Sequence, residues 1–255
     1  LKFARWNSPV RHAGPAFRFF SPFPDSVMIE IISATRLSEE EFWARSALGL
    51  SLRRLAKDKR LVAHVAFANQ RGLPEVFNER IQASGGHDLL VFVHDDVWID
   101  DFFLADHLIE GLRFNDVLGV AGNLRRVERQ PAWAFVGKNA KGRFVWDDKL
   151  YLSGAIGHGA KPFGNLSLFG PVPRACELLD GVFLAARRSV LLARGVLFDP
   201  VFDFHFYDLD FCRTARTRGL RLSTWPIAMT HQSGGAFGTE GWSRKYQAYL
   251  DKWRD

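Results

Sequence analysis

The chain is poor in sulfur: 255 residues hold two cysteines, Cys176 and Cys212, and two methionines. The cysteines form no CxxC pair, which excludes a thioredoxin-type redox centre, a zinc ribbon and a disulfide scaffold. A reducing compartment is the expectation. No apolar run approaches the roughly 20 residues that span a bilayer. No signal-peptide pattern opens the sequence, and its start at Leu1 fits a piece of a longer protein. Long Lys/Arg blocks are missing too, although the net charge is +6. A basic nucleic-acid arm is therefore excluded. Dispersed positive charge suits solubility, or an anionic partner such as a nucleotide. There is no internal repeat and no low-complexity tract.

Aromatic residues are abundant, with 23 Phe and 8 Trp. So many rings either fill a core or line a groove. Pro9, Pro15, Pro22 and Pro24 interrupt residues 1–26, where long regular elements are not expected. Residues 28–33 then read as a buried strand. Ser38 and Glu41 form a capping box, and Phe42, Leu48, Leu52 and Leu55 follow at helical spacing. A second strand is expected over 61–67, a helix opened by Pro74 up to about 84, a third strand over 88–93 and a helix around 101–112. Three alternations of strand and helix predict a parallel sheet with helices on its faces. Residues 123–173 lack strong periodicity and read as a long irregular region. Beyond them come a strand over 179–185, a helix over 207–218, a strand over 220–225 and an aromatic, basic helix over 242–253.

Three features carry chemistry. His94-Asp95-Asp96 lies where the third strand ends, the edge at which open parallel sheets bind ligands. Adjacent acids there either share a divalent cation with phosphates or cap a turn. Tyr207-Asp208-Leu209-Asp210 opens a helix, where acids are favourable without any catalysis. Residues two apart face different sides of a helix, so at most one of these acids faces a site, and the other should hold a loop or pair with an arginine. His231 follows the last strand and precedes Gly234 and Gly235, which allow a tight or mobile loop.

In this order, the segments resemble the family-2 glycosyltransferases of the GT-A fold. Ala34-Thr35-Arg36 resembles that family's nucleotide loop, and the helix of Glu75 to Ile81 its Asn-bearing helix, with Asn78 near the donor. Phe92 to Val97 resembles the acidic metal motif, and Leu179-Asp180-Gly181 to Leu184 the strand beneath donor and acceptor. Asp199-Pro200, Asp208, Arg213, Gly219 and His231 resemble the catalytic helix and terminal histidine. Gly119-Val120-Ala121-Gly122 suggests a less typical bacterial branch.

The resemblance covers about residues 27–237, leaving 1–26 as an extension and 238–255 as a helical tail. It implies an α/β, Rossmann-like, mostly parallel central sheet flanked by helices, with an irregular acceptor-side region. It implies an inverting sugar transfer from a nucleoside-diphosphate sugar, UDP by family frequency, to a hydroxyl of a glycan or another acceptor. Asp96 and His231 would hold Mn²⁺ or Mg²⁺, and Asp208 would be the general base. Ala34, Thr35, Arg36, Asn78, Asp95, Asp180 and Gly181 would contact the donor. His94 and Tyr207 depart from the family, which usually has acids at both positions. Trp133, Trp146, Tyr151 and Phe163 are candidates to stack on sugars, and Lys138, Lys141, Arg143 and Lys161 to meet an anionic acceptor. A cytoplasmic placement is expected, with at most peripheral membrane contact. The competing classes are a sugar nucleotidyltransferase, opposed by the lack of glycines at Ala34-Thr35-Arg36, and a non-catalytic glycan- or partner-binding module, favoured by His94.

Overall fold

The apolar run after Val27 forms β1 (Ile29–Ala34), buried along nearly its whole length, as a central parallel strand must be. The computed structural model describes residues 27–234 and 237–255; the extension expected over 1–26 lies outside them. The Ser38 capping box is present: Ser38 Oγ accepts the Glu41 amide at 3.3 Å, and Glu41 Oε2 accepts the Ser38 amide at 3.0 Å. It starts α1 (Glu39–Arg45). The single helix expected through Leu55 is divided, because Ser46 adopts an extended conformation and caps α2 (Ala47–Leu55) through the Gly49 N–H. β2 (Leu61–Ala66), α3 (Leu73–Gln82), β3 (Leu89–Val93), β4 (Val97–Ile99), α4 (Leu104–Phe114) and β5 (Val117–Gly119) follow.

The second half corrects the expectation of an irregular stretch. After β6 (Ala121–Asn123) come a hairpin of β7 (Phe135–Lys138) and β8 (Phe144–Trp146), then β9 (Leu152–His158), β10 (Asn165–Gly170) and β11 (Arg174–Cys176). These strands are short and their partners distant, so tertiary pairing rather than local periodicity defines them. The strand expected over 179–185 is also two pieces, β12 (Leu178–Leu179) and β13 (Phe183–Arg187). Between them Asp180 Oδ1 accepts the Val182 amide at 2.9 Å and turns the chain. The remaining elements are α5 (Arg188–Arg194), α6 (Tyr207–Thr217), β14 (Leu222–Thr224), β15 (Met229–His231) and α7 (Glu240–Trp253).

The central sheet has the order β11-β14-β5-β13-β3-β1-β2. β2, β1 and β3 are parallel, as are β5 and β14, while β13 runs antiparallel between β3 and β5. This is the expected α/β architecture, a Rossmann-like and mostly parallel sheet flanked by helices. A second sheet, β12-β6-β9-β15-β4 with β10 on β9, stands beside it. The two meet at the Asp180 turn, where the chain passes from β12 to β13.

Below that junction Phe77, Phe92, Phe198 and Phe211 pack ring to ring, with centroids 5.0 Å (Phe77–Phe92), 5.1 Å (Phe92–Phe198) and 4.2 Å (Phe198–Phe211) apart. All four are fully buried, each contributing about 1.5–3 kcal/mol, and they fix α6 beneath the end of β3. Among the described residues no helix is long and apolar enough to cross a membrane.

Candidate active site

His94, Asp95 and Asp96 leave β3 as a tethered turn. The His94 amide donates to Val182 O (3.3 Å), and the Asp95 and Asp96 carbonyls accept the amides of Leu48 (3.1 Å) and Gln232 (3.0 Å). β15 pairs antiparallel with β4, placing His231 opposite Val97 and so beside Asp96. His231 Nε2 lies 3.2 Å from Asp96 Oδ1, and His94 Nδ1 lies 4.0 Å from the same oxygen. One ligand atom from each of these residues falls within 4.8 Å of the others. Asp96 Oδ1 is buried and aligned with no hydrogen-bond donor. A buried carboxylate oxygen set between two imidazoles is a donor set that fits a divalent cation.

The charges respond accordingly. Burial opposes ionisation of Asp96, but His231, His94 and Ser233 outweigh it and hold the carboxyl down to about 2. Burial also pulls His231 down, yet the adjacent Asp96 carboxylate raises it above its ordinary value. For His94 burial prevails over the nearby acids and lowers the pKa, so its ring favours the neutral form.

A second group comes from the β12–β13 turn and the first turn of α6. Gly181 is gripped at both ends of its backbone: its N–H donates to Asp208 Oδ2 (3.0 Å), and its carbonyl accepts from Tyr207 Oη (2.6 Å). A Cβ at Gly181 would lie 2.6 Å from Tyr207 Oη and 2.7 Å from Asp208 Cβ, so only glycine permits this approach. Asp180 Oδ2 accepts from Trp133 Nε1 at 2.8 Å. Burial, then the charge of Asp180, lifts the Asp208 carboxyl to about 7 against backbone bonds that lower it. Helix α6 starts from Phe206 in the left-handed region (φ 67°), an unfavourable conformation for a bulky residue. Its ring is held between Trp242, Tyr246 and Tyr249 of α7.

Both groups open into one cavity of about 570 Å³, closed on its other side by Trp133, Phe135, Trp146, Phe169 and Phe237. Trp133 meets Phe169 edge-on (5.0 Å) and Trp146 stacks on Phe169 (6.0 Å). The volume is that of an ordinary small-molecule site.

The sequence-derived residues divide clearly. Ala34, Asp95, Asp96, Asp180, Gly181, Asp208 and His231 line the cavity, and so does His94. Thr35 is buried, with Oγ1 accepting the Leu37 amide, while Arg36 is exposed and neither lines the cavity. Asn78 is also elsewhere: its Nδ2 donates to Phe198 O (2.7 Å) and its Oδ1 accepts Phe198 N–H (2.9 Å). That amide clamps the loop before α6 and is spent on backbone. Asp210 faces away from Asp208, as the helical spacing requires, but pairs with Lys252 and the Trp253 indole rather than an arginine. Trp133 and Trp146 line the cavity; Tyr151 instead lies under Arg125, and Phe163 sits by Arg54 in another groove. Sequence reasoning did not find Tyr207 Oη between Gly181 and His94, or the Trp133–Asp180 bond. Both join distant segments and leave no local signal.

No protein-family model matches the chain, and no curated protein matches it. Among solved structures it is similar to GalNAc-T7 with UDP, GalNAc and Mn²⁺, at 11% identity and a TM-score of 0.49, over 88% of this chain and 48% of that one. It is similar to the catalytic domain of Drosophila β1,4-galactosyltransferase 7 with xylobiose, at 12% identity and 0.46, over 87% and 79%. It is also similar to 4-diphosphocytidyl-2C-methyl-D-erythritol synthase from Anaerococcus prevotii, at 11% and 0.43, over 89% and 100%. Likenesses this weak assign no activity to the chain.

Proposed function

We propose that the chain is a metal-dependent glycosyltransferase that moves a sugar from a nucleoside-diphosphate donor, with UDP as the nucleotide, to a hydroxyl of a glycan acceptor. One observation carries this reading: a cation-ready cluster and a carboxyl lifted to about 7 face the same cavity. Asp96 and His231 would hold Mn²⁺ or Mg²⁺, which when bound offsets negative charge on a departing diphosphate. Asp208 is the general base. Its position near neutral suits a group that takes a proton from an attacking hydroxyl, and the Gly181 N–H fixes its orientation. Asp95 and the β1 end at Ala34 form the nucleoside side, and Asp180–Gly181 the floor beneath the sugar. Attack from the Asp208 side, opposite the departing diphosphate, inverts the anomeric centre. The aromatic wall offers faces for an acceptor sugar. The expected cytoplasmic placement belongs to the same proposal.

His94, the best mark of a non-catalytic module, stands inside the cation cluster, and the loop after β1 lacks the glycines of a nucleotidyltransferase. The test is thermal stabilisation by a panel of nucleoside diphosphates with Mn²⁺ or with EDTA. Stabilisation by one nucleotide only with metal, abolished by Asp96→Ala, supports the site and names the base. No shift with any nucleotide sinks the proposal. Diphosphate release from a nucleoside triphosphate and a sugar phosphate would favour the nucleotidyltransferase instead.

A further inference from the structure

His94 stands where the resemblance leads one to expect an acid, and its ring is not free to turn. Its Nε2 lies 2.8 Å from Tyr207 Oη. Tyr207 Oη in turn lies 2.6 Å from the Gly181 carbonyl, which can only accept. A phenol has one proton to give, and it is committed to Gly181. Toward His94 the oxygen can therefore only accept, so Nε2 carries a proton and Nδ1 is the nitrogen that can offer a lone pair to an ion. That atom faces Asp96 Oδ1 at 4.0 Å. Metal-bound histidines are arranged this way, with one nitrogen on the ion and the other N–H held by an oriented acceptor. Bonds of about 2.1 Å to a common ion span the 3.2 Å separation from Asp96 Oδ1 to His231 at an ordinary angle, and the 4.0 Å separation to His94 at a wide one that a small approach of His94 would narrow.

We propose that His94 is a third protein ligand of the cation, through Nδ1, and that two imidazoles with one carboxylate make the site select Mn²⁺, Co²⁺ or Zn²⁺ over Mg²⁺. The inference rests on the proposed cation site at Asp96 and His231 and sharpens the identity of its ion. Mg²⁺ prefers oxygen ligands and keeps its waters, whereas imidazole suits the later divalent ions. Tyr207 does not touch the ion. It is a positioning residue that sets which His94 nitrogen carries the lone pair. Because Tyr207 adjoins Asp208, the first turn of α6 holds both the ligand's orientation and the acid.

The test is metal binding by the whole protein, with Mn²⁺ or Mg²⁺ alone and again with UDP, followed by calorimetry and by electron spin-echo spectroscopy of bound Mn²⁺. Wild type should prefer Mn²⁺ by at least about tenfold and show coupling to two imidazole nitrogens. His94→Asp should retain an ion, show one nitrogen and lose most of the preference. Tyr207→Phe should fold, keep Asp208 in place and weaken Mn²⁺ roughly tenfold or more. A wild-type spectrum with a single nitrogen, or unchanged preference in His94→Asp, overturns the role of His94. If Asp96→Ala still abolishes binding in that case, the cation site itself stands. No metal binding by wild type, with or without UDP, overturns both. The spectrum of the wild-type protein decides the matter even if a variant misfolds.

Discussion

The two walls of the cavity are built on different principles. One carries His94, Asp96, Asp180, Asp208 and His231, polar groups on the ends of strands and the start of a helix, each tied by backbone or side-chain bonds. The other carries Trp133, Phe135, Trp146, Phe169 and Phe237, rings held by edge and face contacts with one another, with Trp133 also bonded to the polar wall, at Asp180. Buried charges tolerate little displacement, since each lost partner leaves a desolvated group. Rings in van der Waals contact can shift with small penalties. Under the proposed function the polar wall would carry the fixed chemistry and the aromatic wall would accommodate different acceptors.

The largest expected effect is on the polar wall. Asp208→Asn keeps the bond from Gly181 but cannot take a proton, so glycosyl transfer should fall on the order of 10³-fold while nucleotide binding persists. Full transfer by this variant would remove Asp208 from the chemistry. The same substitution should change stability in the opposite sense. The Asp208 carboxyl stands at about 7 in the folded protein against an ordinary 3.8, so between those pH values the folded state holds a proton that the unfolded chain has released. Stability falls as pH rises through that interval and stays lowered above it. Asparagine does not ionise, so the variant should exceed wild type by roughly 2–4 kcal/mol at pH 8 and by little near pH 4. Denaturant melts at both pH values check this, and equal differences would contradict the burial argument.

A purely steric change comes next. Gly181→Ala forces a methyl against Tyr207 and Asp208, and should cost about 1–3 kcal/mol of stability together with most of the transfer activity. The smallest effect belongs to the aromatic wall. Trp146 is 54% exposed, so Trp146→Ala should leave the melting temperature nearly unchanged. It should raise the acceptor KM up to about tenfold, the worth of one aromatic contact, with kcat preserved. A collapse of kcat would show that the two walls are not separable.

The legibility of the sequence follows the same division. The first half was readable because β1, β3 and α3 carry their own periodicity and caps within a few residues. The strands β7 to β10 were not, since their register comes from partners elsewhere, as when β9 takes β6, β10 and β15. In the site, Asp96, Asp208 and His231 stood out as residue types at the ends of readable elements, whereas Asp180 came from the family resemblance and lay inside what reads as one strand. The allegiance of Asn78 to Phe198, 120 residues away, and of Tyr207 to His94, 113 residues away, could not. A side chain's type limits what it can bond, but only the fold chooses its partner.

The grip on the Gly181 peptide gives the molecule a spectroscopic consequence. Its amide proton points at the Asp208 carboxyl, which burial lifts to about 7, and its carbonyl at the phenol that contacts His94. In a nitrogen–proton correlation spectrum the Gly181 resonance should therefore move through an inflection near pH 7 as Asp208 ionises. The resonance should be silent to pH in Asp208→Asn. One backbone nucleus, far easier to observe than a side-chain proton, would then report the ionisation of the acid without any substrate present.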